Sequence, residues 1–182
     1  MRITVVSPLF PPDTGMPAPY TKELLKRMAN YEVRFLGYGQ LPERVAGVEM
    51  KMVSKKQPVV FRMLKMLTLL LRELRHSDLV YAINGPSVEL PVALASIFTR
   101  TPLVLDLADK QALIESQFGL KKLVYKLANL RAEVVIQNST DSLERPEIVP
   151  FKEQDHIAVA KYQSAWTEHL KDIAHALKYV TK

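Results

Sequence analysis

Six short apolar runs punctuate the chain: RITVVS (2–7), EVRFLGYG (32–39), VEMKMV (48–53), DLVYAI (78–83), PLVLDL (102–107) and AEVVIQN (132–138). Stretches of helical pattern at 18–30, 58–76, 86–99, 110–131 and 155–181 separate most of them. This alternation limits the fold more than any other feature. Two residues can join antiparallel neighbours, whereas parallel strands need a crossover of a dozen or more residues, usually a helix. Several runs are apolar almost throughout instead of at every second position, as expected of strands covered on both faces. The predicted architecture is α/β: an open, doubly wound, mainly parallel, Rossmann-like sheet. Its ligands belong beyond the carboxyl ends of the strands.

The segment STDSLERPEIVPFKEQD (139–155) breaks the rhythm, being polar, with two prolines and one short strand candidate, EIVPF. The helical pattern after it places Val159, Tyr162, Trp166, Leu170, Ile173 and Leu177 at spacings of three or four, a single apolar stripe. Such a stripe must dock, on its own sheet or on a second subunit. The predicted organisation is a domain over 1–140, with 141–182 as a bridge and a C-terminal helix belonging to it.

Composition narrows the function classes. With 48% hydrophobic residues the chain can build a core, and zero cysteines remove disulfides, thiolate metal sites and cysteine nucleophiles together. No secretory signal pattern opens the sequence, so an intracellular, cytoplasmic chain is expected. The net charge of +6 is uneven: residues 1–58 carry nine basic and five acidic side chains, 59–76 four and one, and 77–182 twelve and thirteen. The excess therefore lies in the first 76 residues, which suggests an anionic partner or simply a basic, soluble surface.

Chemistry should concentrate at the strand ends. The loop SPLFPPDTGMPAP after the first strand has one glycine, Gly15, and no G-x-G-x-x-G or Walker pattern. Dinucleotide and phosphate-loop binding are thus disfavoured. Gly15 still precedes a helix with unpaired first amides, although Pro17 and Pro19 remove two of them. Further on, Asn84–Gly85–Pro86 turns into a helix, and Asp106 and Asp109 stand at and beyond the next strand end. Two carboxylates three apart can bind a metal, act as acid and base, or cap the following helix. The helix VVFRMLKMLTLLLRELRHSD carries Arg62, Lys65, Arg72 and Arg75 on a narrow stripe, with Lys55 and Lys56 upstream. It is too charged to span a bilayer, but could lie on an anionic one or form a core helix with a basic edge. His76, His156, His169 and His175 lack metal-ligand spacing and are expected at the surface. Basic residues without interleaved aromatics argue against nucleic acid.

Taken together, RITVVSPLFPPDTGMPAPYTKELLKRMA and DLVYAINGPSVELPVALASIFTRTPLVLDLAD resemble the N-terminal domain of GT-B-fold glycosyltransferases of the family-four type. That family shows a strand, P-P-x-x-G-G and an LA-rich helix, then a D-[VIL]-V strand and a P-[LV]-V-x-[TD]-V-x-D strand. The resemblance covers residues 1 to about 140. Met16 stands where the family has its second glycine, and Ala108–Asp109 replaces its H-D. The E-x-x-x-x-x-x-x-E element of the family's donor domain has no counterpart; Glu147 and Asp155 share only its spacing.

The resemblance implies one half of a GT-B enzyme, on the acceptor side. Such an enzyme transfers a sugar from a nucleotide sugar without a required metal or tightly bound cofactor. Thr14, Gly15 and Met16 would then face the donor across a cleft. Asn84, Gly85, Asp106 and Asp109 would line the acceptor side, the two aspartates being the catalytic candidates. The acceptor would be lipid-linked or a glycan, and the basic residues Lys55, Lys56, Arg62, Lys65, Arg72 and Arg75 would meet the inner face of a membrane. The last helix resembles the one that crosses back from the donor domain in the family. The expected partner is a donor-domain subunit or a second copy. The competing expectations are a non-catalytic glycolipid-binding or regulatory module, and a peripheral membrane scaffold.

Overall fold

A computed structural model describes residues 1–28, 30–137 and 156–180, without the side chains of 156–159 and 161. Strands β1 (Arg2–Ser7), β2 (Glu32–Tyr38), β3 (Glu49–Val53), β4 (Leu79–Ile83), β5 (Leu103–Asp106) and β6 (Val134–Ile136) form one sheet. All five pairings are parallel, in the order β3-β2-β1-β4-β5-β6. Val5 of β1 faces Phe35 on one side and Tyr81 on the other. The chain leaves β1 in one direction and later returns to its other side, so the order reverses between β1 and β4. A crevice opens there, at the carboxyl ends of the strands.

Among the described residues six helices cover the sheet: α1 (Ala18–Arg27), α2 (Val59–Leu74), α3 (Pro86–Thr99), α4 (Lys110–Glu115), α5 (Gly119–Arg131) and α6 (His156–Val180). The pleat sends alternate strand residues to opposite sides. Ile3, Val5, Phe35, Tyr81 and Val104 join Tyr20 and Leu24 of α1 and Trp166, Ile173 and Leu177 of α6 in one core. Val6, Leu36, Val80, Ala82 and Leu105 join Met66 and Leu70 of α2, Val92 of α3 and Ala128 of α5 in the other. The sheet is doubly wound, and the C-terminal helix packs back on it as expected.

Two expectations need correction. The helical pattern over 110–131 is two helices, α4 and α5, parted where Gly119 takes φ +56°. That left-handed turn is cheap only for glycine. His169, expected at the surface, is 4% exposed in the α1–α6 core. His76 and His175 are exposed, and the side chain of His156 lies outside the described residues. So do the bridge 139–155 with its EIVPF strand candidate, Glu147 and Asp155.

Candidate functional site: a cleft at the carboxyl edge of the sheet

The loop between β1 and α1 is held at several points. Ser7 Oγ donates to the Leu9 carbonyl at 2.8 Å and lies 3.0 Å from the Thr21 hydroxyl. Phe10 is buried against Phe35, ring centroids 4.6 Å apart. The Asp13 amide returns to the Phe10 carbonyl at 3.1 Å, and the Glu43 amide donates to the Pro11 carbonyl at 3.1 Å. The Gly15 carbonyl accepts from Ala18 N at 2.9 Å, opening α1. Prolines restrict the backbone between these anchors, so the loop is a fixed wall.

The facing wall is built on Asn84. Its Nδ2 donates to the Asp109 carbonyl and its Oδ1 accepts from the Asp109 amide, both at 2.7 Å. This two-point clamp joins the ends of β4 and β5. Asp109 Oδ1 in turn accepts from Ala112 N at 3.0 Å, capping α4. Gly85, at φ +152°, runs against Pro8, and an added Cβ would lie 2.9 Å from Pro8 Cγ. Glycine is needed there for close packing of the two walls.

Between the walls lies a cleft of about 520 Å³, lined by Leu9, Gly15 and Met16 on one side and by Ala108 to Ala112 and Glu115 on the other. The structure thus brings together Gly15, Met16 and Asp109. Thr14 is exposed on the same loop, while Asn84 and Gly85 are buried behind the wall that they shape. Asp106 does not line the cleft; it is fully buried beneath it. Its Oδ2 accepts from Tyr20 Oη at 2.5 Å and from Tyr81 Oη at 2.7 Å. Tyr20 Oη also lies 2.7 Å from His169 Nε2, which ties α6 to the end of β5.

Burial dominates the electrostatics of this cluster. It pushes the Asp106 carboxyl up to about 6, against the two tyrosine hydrogen bonds, and pulls His169 down to about 4. Burial likewise raises both tyrosines, with Asp106 adding to the effect. On the other side of the sheet, Glu89 is 1% exposed and accepts from Gly85 N at 3.0 Å; burial lifts its carboxyl to about 7. Sequence reasoning missed Tyr20, Tyr81 and Glu89. Tyrosines facing one core from a helix and a strand carry no local signature, although a glutamate one turn into an apolar helix is a visible anomaly.

The basic residues divide in two. Lys55 pairs with Asp13, and Arg62 sits 5.5 Å over the Tyr38 ring with a hydrogen bond to the Lys55 carbonyl. Lys56, Lys65, Arg72 and Arg75 are exposed. Among the described residues no helix is long and apolar enough to cross a membrane.

Solved structures share this fold. The chain matches Anabaena Alr3699/HepE in complex with UDP at a TM-score of 0.57 and 18% identity, over 91% of its own length and 41% of that chain. It matches the UDP-glucose complex of the same protein at 0.57 and 20%, over 77% and 38%. A putative UDP-N-acetylglucosamine 2-epimerase from Listeria monocytogenes follows at 0.50 and 12%, over 74% and 37%. The chain therefore spans about two fifths of the length of these relatives, and the likeness is one of fold: a single GT-B half. No family model and no curated protein matches the sequence.

Proposed function

We propose that this chain is the acceptor-side half of a nucleotide-sugar-dependent glycosyltransferase. The observation that carries the reading is the cleft between Gly15–Met16 and Asp109–Glu115, placed at the carboxyl edge of a single GT-B half. The neighbours were solved with UDP or UDP-glucose, which supports a nucleotide sugar as donor. In this reading the preformed walls hold an acceptor hydroxyl, lipid-linked or on a glycan. A donor-domain subunit or a second copy supplies the nucleotide clamp. The advantage is positional, because two reacting groups held at fixed separation react as one molecule. Asp109 would serve as base through its Oδ2, leaving Oδ1 on the helix cap.

The cap favours one competing reading. A carboxylate already hydrogen-bonded to Ala112 N has a complete structural role, as expected of a non-catalytic glycolipid-binding or regulatory module. Asparagine caps helices as well as aspartate does. Asp109→Asn should therefore keep the melting temperature within a few degrees, and on our reading it abolishes sugar transfer from labelled UDP-glucose to extracted lipid acceptors in host extract lacking the native protein. Transfer at the wild-type rate would make Asp109 a cap alone. Absence of transfer by the wild-type chain in that extract, or at high concentration by itself, would favour the module.

A further inference from the structure

The helical layer opposite α1 and α6 consists of α2, α3 and α5, with α3 packed between the other two. Its outer surface is unusual in charge. On α2 the positions Phe61, Leu64, Lys65 and Arg72 share one helical face with Arg75 at its C-terminal cap, and all are exposed. Leu123, Lys126 and Leu130 do the same on α5, with Lys122 beside them. Phe98 and Arg100 project at the end of α3. The large apolar side chains are well exposed: Phe61 65%, Leu64 55%, Phe98 72%, Leu123 65% and Leu130 84%. None of the three helices exposes a carboxylate. Glu73 of α2 is buried and paired with Arg34 and Lys51, Glu89 of α3 is buried, and α5 contains no acidic residue.

We propose that this α2–α3–α5 surface docks on an anionic lipid bilayer. A second copy of the chain is a poor occupant, because a two-fold contact sets like charge against like charge. A globular protein partner fits little better, since interface centres are depleted in lysine. Nucleic acid would satisfy the cations but not the five exposed apolar side chains. A lipid interface accepts both: apolar side chains enter the headgroup boundary while lysine and arginine meet anionic headgroups. The surface differs from the one expected from sequence. Lys55 and Arg62 are engaged within the fold, and α5, a helix not singled out before, supplies four of the residues named. It is also separate from the cleft, so its test stands apart from that of the transferase reading.

The test is co-sedimentation of the full chain with phosphatidylcholine vesicles, with and without phosphatidylglycerol. Binding should require phosphatidylglycerol and fall with added salt. Lys122→Glu with Lys126→Glu should weaken it roughly tenfold or more, each lysine near an anionic surface contributing a factor of about five. Phe61→Ser with Leu64→Ser should weaken binding at high salt in particular. Lys171→Glu with Lys178→Glu, exposed on α6 across the sheet, should leave it unchanged. All six positions are exposed, and thermal melts confirm that the variants fold. Equal binding to both vesicle types, equal loss from the α6 pair, or preference for a DNA duplex over vesicles overturns the proposal.

Discussion

At the residue scale, the most consequential side chains lie beneath the cleft. Asp106 has a folded value of about 6, above its ordinary value of 3.8, so folding takes up a proton between these limits. Its contribution is largest below about 4 and is lost as pH rises through 6. His169 behaves oppositely: lowered from 6.5 to about 4, it contributes above 6.5 and loses that contribution as pH falls toward 4. In wild type the histidine slope opposes that of Asp106, and Glu89, raised to about 7, adds a second slope of the same sign as Asp106. Relative to wild type, Asp106→Asn should lose stability on acidification from 6.5 to 4 and His169→Gln should gain it over the same range, Glu89 titrating alike in all three proteins. Each difference should amount to about 2–3 kcal/mol in urea unfolding followed against pH. Profiles parallel to wild type would show that these groups do not titrate with folding.

Two glycines separate packing from function on the same scale. A Cβ at Gly85 collides with Pro8 at 2.9 Å in a left-handed backbone, whereas one at Gly15 meets only Leu9 Cδ1, at 3.7 Å. Gly85→Ala should cost about 1–3 kcal/mol, and Gly15→Ala less than about 0.5 kcal/mol. Melting curves check both. A large loss at Gly15 would mean that the loop is held by contacts other than those described here.

At the scale of elements, the strands were the most legible part. The runs RITVVS, DLVYAI and PLVLDL are too uniformly apolar for anything but strands covered on both faces, and β1, β4 and β5 lie centrally. The apolar stripe of α6 was equally plain, and Trp166 is fully buried, stacked on Tyr20 at 5.4 Å under Arg27. Trp166→Ala should cost about 3–5 kcal/mol in denaturant unfolding. A negligible loss would mean that α6 is not anchored on this sheet. The break between α4 and α5 was hidden because apolar spacing runs on through it, and only Gly119 marks the turn. Of the site, Gly15, Met16 and Asp109 were legible because strand ends and glycine loops are local features. The clamp by Asn84 and the burial of Asp106 were not, since each depends on residues 20 or more positions apart meeting across the sheet.

At the scale of the whole molecule, the order β3-β2-β1-β4-β5-β6 sets one crevice, and two stiff loops wall it. The transferase reading depends on that crevice meeting a nucleotide sugar and its acceptor. The most direct test is a titration of the isotope-labelled chain with UDP-glucose, followed by amide NMR. Half a site should bind weakly, in roughly the millimolar range. The account expects shifts confined to Gly15, Met16 and residues 108–112, and their loss when Gly15 is replaced by a bulky residue that leaves the melting temperature unchanged. Shifts centred elsewhere on the molecule, or shifts that persist undiminished in the Gly15 variant, would contradict it.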